Sequence, residues 1–241
     1  MPNTKAFTNE QDVELEAIDA LVSLGYQDYR SDSYKDPNDI IDAERDNDHK
    51  QIILHQRLRS ALERNTPGLK DTIYKEAVRR FYLVTDGPDL MANNHRLHKL
   101  IIEGAKVKVF EGGQDHTYVL KPIDFDNVDA NDFVVTNQFT MEQGERNRRP
   151  DITIFINGLP LVTFELKNQA NANVGIEDAF NQLQTYKQDI SDYMAYNEIL
   201  VISDGVNAQT GSLSAGLTAS CNGVRLSSVT TSSWMSMQWR R

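Results

Sequence analysis

Residues 150–168 read PDITIFINGLPLVTFELKN and contain two apolar stretches on either side of the dipeptide Asn157-Gly158. Both stretches are rich in β-branched and aromatic residues, and Asn-Gly is a strong signal for a turn between two strands. The segment therefore predicts a β-hairpin in the core of the protein, with charge only near its open end. Asp151 precedes the first strand, and Glu165 and Lys167 lie at the end of the second.

Glu165 and Lys167 are two residues apart, so they point to the same face of their strand. Burial of this pair is costly unless the two groups pair or bind an ion, and a structural ion pair is the simpler alternative. Asp151 would approach Glu165 if the two strands are antiparallel neighbours. Adjacent carboxylates repel each other, and a hard cation relieves this repulsion. Because such a cation with a nearby lysine can activate water and stabilise charge on a phosphate, the spacing predicts a metal-dependent phosphodiesterase site.

The number of residues in the hairpin loop tests this prediction, because an odd or an even number decides which face of the sheet Asp151 points to. A two-residue turn at Asn157-Gly158 would place Asp151 on the face opposite Glu165. Convergence requires an odd loop or a β-bulge, which we expect near the turn because Pro160 cannot donate a hydrogen bond to the ladder. We therefore predict that the hairpin is not a simple two-residue turn.

The rest of the chain supplies helices before the hairpin, and a helix and a strand after it. Apolar residues at helical spacing predict helices over 10–24, 49–63, 68–83, 88–103 and 175–187. Alternating or continuously apolar runs predict strands over 105–110, 116–123, 132–139 and 198–203. Residues 26–48 are polar and acidic, which indicates a loop or an insertion. This order of elements predicts an α/β fold with a central mixed β-sheet flanked by helices.

Three polar side chains on the predicted helices are candidates to assist the site. Gln182 and Tyr186 are four residues apart, so they share a helix face, and both can hydrogen-bond a phosphate backbone or Lys167. Glu14 lies on the apolar stripe of the first helix, which suits an outer carboxylate of a metal site. The alternatives are surface helix residues for Gln182 and Tyr186 and a solvated charge for Glu14.

Composition restricts the class of protein. A single cysteine, Cys221, excludes an internal disulfide and a cysteine-rich zinc site. There is no run of about 18 apolar residues and the N-terminus is too polar for a signal peptide, so we expect a cytoplasmic protein without membrane contact. The five histidines lack the spacing of a metal motif. The net charge of −10 argues mildly against DNA binding by the whole surface, although Arg146, Arg148 and Arg149 form a local basic patch.

The block RPDITIFINGLPLVTFELKN, with AFNQLQTY and EILVISDGVNAQTGSLSA after it, closely resembles the N-terminal region of type I restriction enzyme R subunits. The resemblance spans residues 10 to about 215 and identifies the chain as a member of the PD-(D/E)xK nuclease superfamily, with a restriction-endonuclease-like fold. It implies a metal site at Asp151 and Glu165, with Lys167 as the catalytic lysine. The Gln-x-x-x-Tyr pair, Gln182 and Tyr186, is implied to assist through DNA contact.

Two further site residues are assigned less directly. Glu14 matches the acidic helix position of the family, although Glu16 is only two residues away. Arg149 immediately precedes the Pro-Asp motif and is a candidate for DNA binding or for support of the site.

The resemblance also implies a reaction and partners. The expected activity is Mg²⁺-dependent cleavage of double-stranded DNA after ATP-driven translocation by motor domains, whose motifs are absent from this sequence. The implied partners are double-stranded DNA and the methylation and specificity subunits of a restriction complex. A non-catalytic DNA-binding or subunit-docking module of the same fold is the alternative function. A stand-alone nuclease of another branch, such as a repair or resolvase-like enzyme, is the third.

Residues 216–241 are serine-rich, lack periodicity and contain the only cysteine and both tryptophans. The family continues here through an aromatic-rich segment that ends in Trp-Arg. A shifted reading frame of one possible coding sequence for residues 216–226 gives Phe-Asp-Arg-Phe-Met-Gln-Trp-Arg-Thr-Ile, which resembles that continuation. We therefore expect an endonuclease domain over residues 1–215 and a non-native, frameshifted or disordered tail over 216–241.

Overall fold

The computed structural model describes residues 9–30, 40–168, 175–204, 207–216 and 221–222. The helices in these ranges are α1 (Glu10–Ser23), α2 (Ile40–Ala43), α3 (His55–Asn65), α4 (Asp71–Tyr82), α5 (Leu90–Glu103), α6 (Ile176–Asp189) and α7 (Ser191–Met194). The strands are β1 (Gln27–Asp28), β2 (Ala105–Glu111), β3 (Gln114–Leu120), β4 (Phe133–Asn137), β5 (Met141–Gln143), β6 (Arg146–Arg148), β7 (Ile152–Ile156), β8 (Leu159–Leu166), β9 (Ile199–Ser203), β10 (Ala208–Gly211) and β11 (Cys221–Asn222).

The main sheet has the strand order β1-β4-β7-β8-β9-β10-β11. The pairs β1–β4 and β8–β9 are parallel and the other pairs are antiparallel. The hairpins β2–β3 and β5–β6 form separate two-stranded sheets. The predicted mixed sheet is therefore confirmed, with β7 and β8 near its centre.

Helices cover both faces of this sheet, as predicted. Residues of α1, α3, α4 and α5 share one buried cluster with Ile154 and Phe164 of the central strands. Residues of α6 and α7 share a second cluster with Phe155. The alternation of Ile154 and Phe155 between the clusters shows that side chains from one strand enter the core on both sides. No helix in the described ranges has the length and hydrophobicity needed to cross a membrane.

The β7–β8 hairpin contains the predicted irregularity, but not in the turn. Ile156 pairs with Leu159, so the turn has two residues, Asn157 and Gly158, with φ of 49° and 82°. The register then shifts between Ile154 and Phe155, which leaves Leu161 as an extra residue in β8. The prediction of a bulge is confirmed, whereas the expectation that the turn itself would be odd or wider was wrong.

The bulge changes which side chains face each other at the open end. Ile152 pairs with Phe164 beyond the bulge, and the same register continued by one residue places Asp151 opposite Glu165. Without the extra residue, Asp151 would oppose Phe164 and point to the other face of the sheet.

Other differences from the sequence expectations are local. The loop predicted over 26–48 contains β1 and the short α2, and residues 31–39 lie outside the described residues. The β5–β6 hairpin and β10 were not predicted. Most of the tail 216–241 also lies outside the described residues. Its β11 pairs antiparallel with β10, and the hypothesis of a non-native tail stays a prediction.

Candidate active site

Asp151, Glu165 and Lys167 meet at the open end of the β7–β8 hairpin. The backbone N–H of Leu166 donates a hydrogen bond to Asp151 Oδ2 at 2.7 Å, which joins the two strand ends. Lys167 Nζ donates to Glu165 Oε1 at 2.8 Å. The Lys167 backbone N–H donates to Ser203 of β9 at 2.8 Å, so the central sheet fixes the chain that carries the lysine.

Burial dominates the electrostatics of these groups. Burial and then the negative charge of Asp151 raise the pKa of Glu165 to about 8, against the lowering effect of Lys167. Burial also raises the pKa of Asp151, against the lowering effects of the Leu166 N–H and Lys167. For Lys167 burial lowers the pKa, but Glu165 outweighs this through its charge and hydrogen bond, so the pKa lies above its ordinary value.

Within the part of the chain that the structure describes, the hydrogen bonds at the two carboxylates leave one buried oxygen of Glu165 unsatisfied, and a cation could bind there. Glu165 is fully buried, and its Oε2 has no hydrogen-bond partner among the described residues. A buried carboxylate oxygen without a donor is costly, and a hard cation would satisfy it. No group of three or more His, Cys, Asp or Glu side chains in the described ranges could hold a metal. Asp151 and Glu165 would thus supply two ligands, with water or phosphate oxygens for the rest, as is common for Mg²⁺.

Gln182 and Tyr186 of α6 adjoin this site. Gln182 Nε2 donates to the Tyr186 hydroxyl at 2.7 Å, and that hydroxyl donates to the Arg149 carbonyl at 3.5 Å. Tyr186 is buried, so a surface role for it is excluded. Burial, and then the charge of Glu165, raise the pKa of Tyr186, which keeps its hydroxyl protonated as a donor.

Glu14 is buried on α1, which begins where Asn9 accepts a hydrogen bond from the Asp12 N–H at 2.8 Å. Glu14 Oε1 accepts from Asn137 Nδ2 at 2.7 Å, and its other oxygen accepts from Gln138 Nε2. Burial raises its pKa. The solvated-charge alternative is therefore wrong for Glu14, whereas Glu16 is exposed.

Asn137 and Gln138 were not predicted as site residues. Both follow the apolar residues of β4, and the polar triplet Thr-Asn-Gln at the end of a core strand was the available signal. The Gln138 backbone N–H donates to the Asp151 carbonyl at 2.9 Å, and its Nε2 donates to Asp151 Oδ1 at 3.3 Å. The sequence could not show that the end of β4 adjoins α1.

An open cleft of about 570 Å³ adjoins the carboxylates. Its lining residues are mostly polar: Gln138, Asn147, Arg148, Arg149, Asp151, Gln182, Thr185 and Tyr186. Arg148 pairs with Asp189 at 2.5 Å, and Arg146 approaches the same carboxylate at 3.6 Å. Arg149 is exposed, and it is the only arginine in the described ranges whose side chain has no hydrogen bond or ion pair. The predicted basic patch therefore presents one unpaired guanidinium to the cleft.

All of these residues lie inside a region shared with known proteins. Residues 7–218 match the family described as type I restriction enzyme R protein N terminus. The chain belongs to this family. The match includes every candidate residue from Glu14 to Tyr186.

Individual relatives agree with this assignment. The chain is 34% identical over 215 residues to the type I restriction enzyme HindI endonuclease subunit of Haemophilus influenzae. The aligned region covers 86% of this chain and 19% of the relative. It is also 34% identical over 206 residues to the putative type I restriction enzyme MjaIXP endonuclease subunit of Methanocaldococcus jannaschii, covering 83% of this chain and 19% of the relative. The type I restriction enzyme EcoprrI endonuclease subunit of Escherichia coli is 27% identical over 214 residues. The chain thus spans about one fifth of the length of the first two relatives.

Proposed function

We propose that this chain is the endonuclease domain of a type I restriction R subunit and hydrolyses phosphodiester bonds of double-stranded DNA with Mg²⁺. The observation that carries the proposal is the bulged hairpin, which brings Asp151 opposite Glu165 with Lys167 on the same strand end. Family membership favours this function over a stand-alone nuclease of another branch.

Asp151 and Glu165 would hold the cation through their carboxylates. When bound, Mg²⁺ supplies Lewis acidity and lowers the pKa of a coordinated water. Lys167 Nζ, which donates to Glu165, would orient the attacking water or stabilise negative charge on the phosphate.

The cleft would hold the DNA backbone beside the carboxylates. Arg149 offers an unpaired guanidinium, and charge-assisted hydrogen bonds from arginine to phosphate are strong. Gln182 and Tyr186 would act in support, since the Gln182 side chain is half-buried and fixes the Tyr186 hydroxyl. These contacts are independent of base sequence, so recognition of a DNA site belongs elsewhere.

The matched region is about one fifth of the length of the first two relatives, so the whole enzyme would have further domains. We propose that motor domains outside the matched region hydrolyse ATP and translocate DNA, and that methylation and specificity subunits complete a cytoplasmic complex. The net charge of −10 fits this division, because other parts would supply most of the DNA affinity. The same charge is the observation that favours the alternative, a subunit-docking module without catalysis.

Plasmid cleavage by an R subunit carrying this domain, in its complex with Mg²⁺ and ATP, separates the two functions. We expect Asp151→Ala and Lys167→Ala to lower cleavage at least about 100-fold while ATP hydrolysis continues. Lys187→Ala is the matched control, since Lys187 is a half-buried lysine of α6 that bonds Gln184 and not the carboxylates. Equal cleavage by all variants would leave only the docking function.

A further inference from the structure

We propose that Gln138 is a positioning residue of this site, whose side-chain amide joins the carboxylate of Asp151 to that of Glu14 and holds Asp151 in the orientation that receives a divalent cation. This inference rests on the proposed function. Gln138 lies just after β4, outside the sequence motifs of the site, and lines the same cleft as Asp151 and Tyr186.

The contacts of Gln138 connect three parts of the chain. Its Nε2 donates to Glu14 Oε2 of α1 and to Asp151 Oδ1 at 3.3 Å. A primary amide carries two N–H groups on one nitrogen, so it can serve both carboxylates without a change of protonation. The Gln138 backbone N–H also donates to the Asp151 carbonyl at 2.9 Å. Gln138 thus holds both the backbone and the side chain of Asp151.

These hydrogen bonds orient the Asp151 carboxylate and leave it able to bind a cation. Asp151 accepts from the Leu166 N–H at one oxygen and from Gln138 at the other. Glu14 likewise accepts from Asn137 and Gln138. Each carboxylate oxygen has two lone pairs, so one hydrogen bond at each Asp151 oxygen fixes the group and leaves a lone pair on that oxygen for a cation. Hydrogen-bonded partners of this kind tune metal affinity without touching the metal.

The backbone conformation of Gln138 distinguishes the positioning role from a purely conformational one. Its φ is 52°, in the left-handed region that non-glycine residues rarely adopt and in which asparagine is enriched. A position selected only for this left-handed backbone conformation would therefore favour asparagine or glycine. Asparagine has a shorter side chain, so its amide would not reach both carboxylates from the same backbone.

Binding of Ca²⁺ to the intact 241-residue chain, measured by calorimetry, tests the inference without a need for cleavage. We compare Gln138→Met, which keeps length but removes the donors, with Gln138→Asn, which suits the backbone but shortens the reach. Both are expected to weaken Ca²⁺ binding by about 10–100-fold. Gln138→Asn is expected to keep the melting temperature of the cation-free chain, which separates positioning from folding.

Gln143→Met is the matched control, because Gln143 is a half-buried glutamine that bonds Ser191 and the Asp192 N–H away from the carboxylates. It should bind Ca²⁺ as the wild type does. Wild-type affinity in Gln138→Asn would overturn the inference, even where Gln138→Met does not fold. Asp151→Asn identifies the level of failure. If Asp151→Asn abolishes Ca²⁺ binding while Gln138→Asn does not, only the positioning role is wrong. If the Asp151→Asn variant also binds Ca²⁺ as the wild type does, the proposed cation site is wrong.

Discussion

At the scale of single residues, Glu165 connects cation binding to pH. Burial and the adjacent Asp151 raise its pKa from 4.5 to about 8. As pH rises, the unfolded chain therefore releases this proton before the folded chain does. The Glu165 contribution makes the cation-free fold less stable from about pH 5 to about pH 8, with no further loss above that range. The cation requires the deprotonated form, so its binding is opposed over the same range.

We expect Ca²⁺ affinity to rise by up to about tenfold per pH unit below pH 8, with release of a proton on binding. Glu165→Gln should abolish this binding and also remove part of the decline in stability between pH 5 and pH 8. Calorimetry in buffers of different ionisation enthalpy measures the proton release, and thermal unfolding measures the stability. Glu198→Gln is the control for Ca²⁺ binding, which it should leave unchanged. Burial also raises the pKa of Glu198, but this side chain bonds His98 and not the cleft residues. Binding that does not change with pH would contradict the protonated state of Glu165.

At the scale of elements, the β7–β8 hairpin depends on the close approach of its turn to α3. Gly158 has a φ of 82°, and a Cβ there would lie 2.4 Å from the Leu54 carbonyl oxygen and 2.9 Å from the Leu58 nitrogen. The Leu54 N–H also donates to the Gly158 carbonyl at 3.0 Å. The turn is thereby held against the start of the helix, at the end of the hairpin opposite to the carboxylates.

Gly158→Ala should therefore destabilise the fold through two effects, left-handed strain and a clash with backbone that cannot easily move. Gly113→Ala isolates the first effect, because Gly113 has a φ of 83° with nothing within 4 Å of the added Cβ. We expect about 1 kcal/mol for the control and about 1–3 kcal/mol more for Gly158→Ala. Urea unfolding of both variants measures the difference. Equal losses would show that the turn is not pressed against α3.

At the scale of the whole molecule, the net charge opposes DNA binding, so local contacts in the cleft have to supply the attraction. The net charge is −10, and the Asp189 carboxylate pairs with Arg148 and lies 3.6 Å from Arg146. The unpaired Arg149 therefore provides the local attraction for phosphate. A single contact of this kind gives weak binding with a shallow dependence on salt.

We expect the isolated chain to bind a DNA duplex in Ca²⁺ with a Kd weaker than about 10⁻⁶ M at physiological salt. Arg149→Ala should weaken binding further and reduce the slope of log K against log salt by about 1. Fluorescence anisotropy across a salt series measures both. Arg80→Ala is the control, since Arg80 is exposed but pairs with Glu76 on α4 at 3.0 Å. An unchanged slope in Arg149→Ala would remove this residue from the phosphate contact.

The sequence by itself determined the central hairpin, most of the strands and the identities of Asp151, Glu165 and Lys167 as site candidates. These features depend on periodicity and turn chemistry within a few residues, and on the principle that charge in an apolar strand needs a partner. The family resemblance agreed with the same residues. The alternation of faces along a strand, with a period of two, also required either an odd loop or a bulge in the hairpin.

Only the tertiary structure decided where the bulge lies and which neighbours complete the site. The two-residue turn is stabilised by its contact with α3, so the extra residue is absorbed at Leu161. Glu14 faces the site and Glu16 does not, because the packing of α1 on the sheet sets the rotation of the helix. Gln138 joins Glu14 to Asp151, and Asp189 pairs with Arg148 but not with Arg149. These choices depend on residues brought together from distant parts of the chain, and local sequence carries no record of such distances.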